Sequence, residues 1–86
     1  MEFYFKSIGS DTHLFREDGF FDQDLGKLTK TFTGKLRTSK WFGETFELED
    51  ISGLFSEGER YSIKSSNGLK GVIEKKTFSD RYVLKE

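Results

Sequence analysis

Cysteine and proline are both absent from this chain of 86 residues, and histidine and tryptophan occur once each. The absence of cysteine excludes a disulfide framework and a thiolate metal site. No apolar run approaches the ~18 residues that a membrane span requires, and the N-terminus lacks the basic and apolar regions of a signal peptide. We therefore predict a cytoplasmic chain that folds as a single small domain over residues 1–86.

Apolar residues are also scarce, at 34% of the chain, whereas charged residues make up another 34% and the net charge is −1. Disordered segments typically combine few aromatic residues with a high net charge, and this chain has neither property. Its aromatic content is 16%, including 10 Phe. Because each buried aromatic side chain removes roughly 150–250 Å² from water, a few rings can supply a small core. The composition therefore indicates a folded domain.

The clearest structural signal is an alternation of apolar and polar residues over 27–39. The even positions include Leu28, Phe32 and Leu36, whereas the odd positions are all Lys, Thr, Arg or Ser. A period of two predicts one half-buried strand, with Phe32 and Leu36 on its inner face and Gly34 where the strand coils sharply or another backbone approaches.

The next segment, 44–49, alternates in the same way and predicts the partner strand of a hairpin. We expect a register in which Leu36 lies opposite Phe46 and Lys35 lies opposite Glu47. That register gathers the apolar side chains on one face and sets opposite charges across from each other.

A second hairpin is predicted over 60–75, where Ser66-Asn67-Gly68 is a strong turn signal. A two-residue loop would divide the apolar residues between the two faces of the hairpin. A three-residue loop that ends in Gly68 pairs Tyr61 with Ile73 and gathers the apolar residues on one face. We therefore predict the three-residue loop, with Gly68 in the left-handed conformation.

Shorter signals cover the rest of the chain. Alternation predicts a first strand at Phe3 and Phe5, Asp-Gly predicts a hairpin turn at Asp18-Gly19, and a last strand over 81–85 pairs back through a turn at 77–80. Apolar residues at helical spacing predict a short helix or 3₁₀ turn at about 50–55.

Together these elements predict an all-β fold, or β with one short helix, of five to seven short antiparallel strands. We expect a small SH3-like or OB-like barrel or a compact β-roll, and a two-layer α+β domain is the alternative. The predicted core consists of Phe32, Leu36, Phe46, Leu48, Tyr61, Ile63, Ile73 and Leu84.

Charge is distributed in blocks that the small net charge conceals. Residues 27–43 hold five basic and no acidic residues, 44–59 hold six acidic and no basic ones, and 60–86 hold seven basic and three acidic ones. Such blocks on neighbouring strands predict cross-strand ion pairs. The alternative is that the basic face of residues 27–43 and 60–86 binds single-stranded nucleic acid, with Trp41 and Tyr82 as stacking platforms.

No residue pattern in the chain predicts catalysis. His13 follows Ser10-Asp11-Thr12, but triads are assembled from distant segments, so we interpret it as an exposed turn histidine. Segment 22–26 resembles the start of a calcium loop but lacks the later glycine and glutamate, and Asp24 is interpreted as a turn cap. We therefore predict no cofactor, no metal and no enzymatic activity.

Large aromatic side chains in predicted turns are the remaining candidates for binding. Lys40, Trp41 and Phe42 lie at the tip of the first hairpin, and Phe20 belongs to an aromatic pair of which alternation buries one ring. Aromatic residues are enriched among binding hot spots, although Trp41 has an alternative role as a lid over the barrel end. We predict a non-enzymatic protein-binding module, such as an adaptor, inhibitor or small subunit of bacterial or phage origin. Its partner is an unidentified protein or a second copy of itself, and not a membrane.

Overall fold

The computed structural model describes residues 1–38, 43–54 and 58–85. These residues form eight strands and one 3₁₀ turn: β1 Glu2–Ile8, β2 Asp11–Asp18, β3 Phe21–Lys30, β4 Leu36–Thr38, β5 Phe46–Asp50, the 3₁₀ turn Ser52–Leu54, β6 Arg60–Ser65, β7 Lys70–Lys75 and β8 Tyr82–Lys85. Each strand pairs with the next, all antiparallel, and β8 pairs with β1 to close a barrel. The prediction of a small all-β barrel is confirmed, with eight strands instead of five to seven.

The larger strand number arises partly within 27–39, where the prediction of one continuous strand is wrong. The chain reverses after β3, because the Thr31 N–H donates to the Lys35 carbonyl oxygen at 2.6 Å and the Gly34 N–H donates to the Thr31 carbonyl oxygen at 3.0 Å. Gly34 has a φ of 87°, which side-chain-bearing residues rarely adopt, so it permits this turn instead of coiling a strand. Phe32 lies at the tip of the turn and is fully exposed, so its assignment to the core is wrong.

The β4–β5 hairpin forms, but in a register two residues away from the predicted one. Leu36 lies opposite Leu48, and Arg37, not Lys35, lies opposite Glu47. A slip of two residues returns every side chain to the same face, and it also replaces one basic residue by another opposite Glu47. The two criteria used to choose the register therefore could not separate these alternatives.

The β6–β7 hairpin has the predicted register. Tyr61 lies opposite Ile73, and the Ser65 N–H donates to the Leu69 carbonyl oxygen at 2.9 Å. Gly68 has a φ of 101°, in the region that favours glycine. The three-residue loop is therefore confirmed.

A bulge in β3 shapes the other side of the barrel. Leu14 lies opposite Gly26 and Phe15 lies opposite Asp24, so Leu25 is the extra residue. The Asp24 carboxylate accepts a hydrogen bond from the Gly26 N–H at 2.9 Å, which holds the irregular backbone in place. Asp24 therefore caps the bulge, and Leu25 is buried in the barrel.

The barrel interior holds one hydrophobic core, made of Phe3, Leu14, Leu25, Phe46, Leu48, Ile63, Ile73 and Tyr82. Of the predicted core residues, Phe46, Leu48, Ile63 and Ile73 are buried, whereas Leu36, Tyr61 and Leu84 are partly buried against them. The smaller predicted elements are also present: the first and last strands, the turn after Asp18, and a 3₁₀ turn at Ser52–Leu54.

Cross-strand ion pairs follow the charge blocks, as predicted. The Arg37 guanidinium donates to the Glu47 carboxylate at 2.8 Å, and the ammonium groups of Lys64 and Lys35 lie 3.3 and 3.6 Å from the same carboxylate. The hydrogen bond from Arg37 lowers the pKa of Glu47. The blocks therefore neutralise one another across β4, β5 and β6.

Candidate functional site

The predicted binding residues divide into one that the structure describes and three that it does not. Phe20 lies in the two-residue turn between β2 and β3 and is fully exposed. Phe21 is also exposed, so the expectation that one ring of this pair is buried is wrong. Phe20 belongs to the turn, and Phe21 is the first residue of β3, opposite Asp18, so both rings lie at the end of the strand pair and outside the core. Lys40, Trp41 and Phe42 lie outside the described residues.

The alternating strand directions give the barrel two distinct ends. The connections β1–β2, β3–β4, β5–β6 and β7–β8 lie at one end, which we call the mouth end. The connections β2–β3 and β6–β7 lie at the other, which we call the opposite end. Phe20 is therefore at the opposite end.

A cavity of about 440 Å³ lies on the outer face of β5, β6 and β7, whereas a cavity of about 430 Å³ opens at the mouth end. We call the second one the mouth cavity, and its lining residues are Phe5, Thr12, Leu28, Lys30, Leu36 and Tyr61. The rings of Phe5 and Tyr61 are 5.4 Å apart, and each lies against the ring of buried Tyr82, at 5.3 and 5.7 Å. The mouth cavity is therefore an apolar depression backed by packed aromatic rings.

The acidic side chains beside this aromatic cluster are already engaged. The Tyr82 hydroxyl donates to the Glu59 carboxylate, and burial together with this bond raises the pKa of Tyr82. The Ser52 N–H donates to the Asp50 carboxylate at 2.9 Å, and the bonds from Ser52 lower the pKa of Asp50. Neither these two carboxylates nor Lys30 makes an ion pair within the part of the chain that the structure describes.

Three turns of the mouth end each present an exposed apolar side chain. Phe32 is fully exposed in the β3–β4 turn, Phe78 is fully exposed in the β7–β8 turn, and Ile8 at the β1–β2 turn is 43% exposed. Phe78 is also the one non-glycine residue with positive φ that the described chain contains, at 58°. Its turn is held by a hydrogen bond from the Lys76 N–H to the Arg81 carbonyl oxygen at 2.9 Å.

A compact polar and aromatic cluster covers the outer face of β1, β2 and β3. The Tyr4 ring stacks on the Phe15 ring with 5.1 Å between the centroids, and the Arg81 guanidinium lies 3.8 Å from the centroid of the Tyr4 ring. The Tyr4 hydroxyl donates to Asp22 at 2.6 Å, and Arg81 donates to Glu17 at 3.0 Å. Burial, with the hydrogen bond to Asp22, raises the pKa of Tyr4 to about 12. Because these groups bond to one another, the cluster stabilises the packing of the strands that carry them.

His13 belongs to this outer face and not to an exposed turn, which corrects its interpretation from the sequence. It lies within β2, and its Nδ1 is 3.0 Å from a carboxylate oxygen of Asp24 on β3. Its sequence neighbour Asp11 forms an ion pair with Lys27 at 3.4 Å, so these residue types do not assemble a triad. Among residues 1–38, 43–54 and 58–85, no three histidine or acidic residues are grouped to hold a metal ion.

Comparison with known proteins adds no family to this picture. No protein-family model matches the chain, and no significant match is found among curated proteins or solved structures. None of the helical segments described is long and apolar enough to cross a membrane.

Sequence reasoning missed the exposed side chains at the mouth end. Alternation assigned Phe32 to the core, although Gly34 two residues later is a turn signal that favours the observed reversal. The turn at 77–80 was predicted, but its Phe78 was not considered as a surface residue. Ile8 adjoins Gly9, which has a φ of 63° in the β1–β2 turn.

Proposed function

We propose that this protein is a non-enzymatic protein-binding module that docks onto a partner through the mouth end. The observation that carries the proposal is the presence of exposed Ile8, Phe32 and Phe78 on three turns around one end of the barrel. Exposed aromatic side chains on a folded domain are candidates for interaction sites, because aromatic side chains dominate binding hot spots.

The backbone at Phe78 supports this role. A left-handed conformation costs an L-residue roughly 1–2 kcal/mol, whereas glycine adopts it freely. Phe78 has a φ of 58° and its ring is fully exposed, so within the described chain the ring gains no burial that offsets this cost. Strained residues of this kind cluster at sites where the strained side chain has a function.

The β3–β4 turn supports the same role through its rigidity. Besides its two backbone hydrogen bonds, the Lys35 N–H donates to the Thr31 hydroxyl at 3.1 Å, and the hydroxyls of Thr31 and Thr33 lie 3.1 Å apart. These bonds hold the turn that carries Phe32. A side chain presented on an ordered turn loses less conformational entropy on binding than one on a disordered loop.

Binding of single-stranded nucleic acid is the alternative, and the geometry favours it less. Lys35, Arg37 and Lys64 surround Glu47, so their charges are partly neutralised within the barrel surface. Tyr82 is 4% exposed and therefore cannot stack on a base without unfolding its surroundings. Titration with random single-stranded DNA and RNA over a salt series tests this alternative, because phosphate binding weakens steeply with salt.

Affinity capture with three matched baits tests the docking proposal. The baits are the parent protein, the double variant Phe32→Ser/Phe78→Ser, and the control Phe20→Ser, which removes an equally exposed ring at the opposite end. We expect the same partner on the parent and on Phe20→Ser, and at least a tenfold loss on the double variant, as for hot-spot removal. Loss on Phe20→Ser with retention on the double variant would place the interface at the opposite end and refute the proposal.

Sedimentation of the purified protein over a concentration series tests whether the partner is a second copy of the chain. If the protein is a monomer at all concentrations, the partner is a different protein. A dimer that Phe32→Ser/Phe78→Ser dissociates, and Phe20→Ser does not, would identify a second copy of the chain instead.

A further inference from the structure

The interior of the mouth cavity has a chemistry of its own, separate from the exposed turns around it. Its lower wall is apolar, formed by Phe5, Leu28, Leu36 and Tyr61. Its volume of about 430 Å³ falls within the roughly 300–1,000 Å³ typical of small-molecule sites. An eight-stranded barrel is just wide enough to be filled by side chains or to hold one small ligand.

Among the described residues that line the cavity, Lys30 is the single charged one. It extends from the last position of β3 and is exposed, and no described carboxylate lies within ion-pair distance of it. Thr12, which also lines the cavity, supplies a hydroxyl that can donate a second hydrogen bond. The cavity is therefore lined mainly by hydrocarbon, and its exposed rim carries one ammonium group and one hydroxyl group.

The sign of the ligand follows from which charges line the cavity. Burial raises the pKa of Tyr61 and the negative charges of Asp50 and Glu59 add to the rise, but neither carboxylate is among the described residues that line the cavity. Lys30 does line it. An anionic group in the cavity therefore gains an ammonium partner, whereas a cationic group finds no carboxylate among these lining residues.

From these observations we propose that the mouth cavity binds a small apolar carboxylic acid. The hydrocarbon of the ligand packs on Phe5, Leu36 and Tyr61, and its carboxylate lies at the ammonium of Lys30 and the hydroxyl of Thr12. This site uses the depression at the mouth end and does not depend on the docking of a protein partner at the exposed turns.

Calorimetric titration of the full chain with octanoate tests the proposal, with octanol and octylammonium as ligands of equal chain length and different head group. We expect octanoate to bind saturably, octanol to bind more weakly, and octylammonium to bind weakest. Amide shifts in a two-dimensional NMR spectrum should centre on the lining residues of the mouth cavity. Tighter binding of octylammonium than of octanoate would overturn the assignment of Lys30.

Variants separate the two parts of the site. Lys30→Gln should weaken octanoate binding about five- to tenfold and leave octanol binding unchanged, in line with the strength of one charge-assisted hydrogen bond at an exposed position. Lys85→Gln, an exposed lysine at the opposite end, is the control and should change neither. Equal octanoate affinity for the parent and Lys30→Gln would refute the proposed contact.

Thr12→Trp tests the cavity itself, because Thr12 is exposed and a strand tolerates a tryptophan at such a position. The indole should occupy the rim of the cavity and abolish the binding of both octanoate and octanol while the melting temperature stays near that of the parent. Undiminished binding would place the ligand elsewhere. The variant Phe32→Ser/Phe78→Ser should bind octanoate like the parent, so failure of the docking proposal and failure of this one are distinguishable.

Discussion

Gly71 offers a quantitative test of how closely β7 packs against β8. It lies in β7 opposite Ile63, and a Cβ added to it would meet the Lys85 carbonyl oxygen at 2.8 Å and Leu84 Cδ1 at 3.0 Å, both on β8. The first contact is shorter than real Cβ atoms show, and its partner is backbone, so β8 itself must shift in Gly71→Ala. Overpacking of this kind costs about 1–3 kcal/mol.

Urea unfolding measures that loss directly. A domain of 86 residues has a free energy of unfolding of roughly 4–13 kcal/mol, so the expected loss is a large fraction of it. Each kcal/mol should also lower the melting temperature by about 4–8 °C in a domain of this size.

The matched control is Gly53→Ala. A Cβ at Gly53 meets nothing within 4 Å, and its backbone does not have the positive φ that disfavours alanine. Its free energy of unfolding should therefore stay within about 0.5 kcal/mol of the parent, or rise slightly. If Gly71→Ala unfolds at the same urea concentration as Gly53→Ala, β7 and β8 are not packed as closely as described.

Three further outcomes follow from the packing and the charges. Phe32→Ser should leave the free energy of unfolding in urea within about 0.5 kcal/mol of the parent, whereas Ile63→Ala should lower it by roughly 2–5 kcal/mol. A large loss for Phe32→Ser would mean that this ring belongs to the core. Arg37 holds the folded-state pKa of Glu47 below its usual 4.5, so this carboxylate stabilises the fold above that pH and the contribution fades as the pH falls through the folded-state value. Acid unfolding of Glu47→Gln should accordingly depend less on pH than that of the parent, and equal slopes would contradict the ion pairs. Tyr4, with a pKa of about 12 instead of 10, stabilises the fold below pH 10 and loses this effect as the pH rises towards 12, so Tyr4→Phe should show a shallower decline there, measured by alkaline urea melts.

The β6–β7 hairpin shows what the sequence predicts well. Its turn carries Gly68 at the one position that needs a positive φ, and a single register gathers Tyr61, Ile63 and Ile73 inside. Turn chemistry and burial therefore point to the same answer, and a one-residue slip would expose half of the apolar side chains.

The β4–β5 hairpin shows where the same reasoning fails. Alternation fixes which face a residue occupies but not its position along the strand, so a slip of two residues changed neither burial nor charge sign opposite Glu47. Alternation also continued through Phe32, because Gly34, two residues later, was interpreted as a point where a strand coils and not as part of a turn. The bulge at Leu25 was equally invisible, since it depends on the pairing of β2 with β3.

The candidate site was harder to predict than the fold. Phe20 was chosen as a binding residue without deciding which ring of its pair is exposed, and the rings of both Phe20 and Phe21 are exposed. The mouth cavity arises from strands that are distant in sequence. Phe5 and Tyr61 meet across the barrel at 5.4 Å, a contact that alternation alone does not reveal. The strand count and closure of the barrel had to be known before these residues could be grouped.

The seam between the first and the last strand has a consequence for how the protein is made. β1 meets β8 through two opposing pairs, Glu2 with Val83 and Phe3 with Tyr82. During synthesis β1 leaves the ribosome first, and it cannot acquire this neighbour until nearly all of the barrel has been translated. Contacts of such long sequence separation form slowly, and until they form the unpaired edge of β1 can pair with a strand of another chain. Until Tyr82 has been translated, this edge of β1 has no partner strand within the chain.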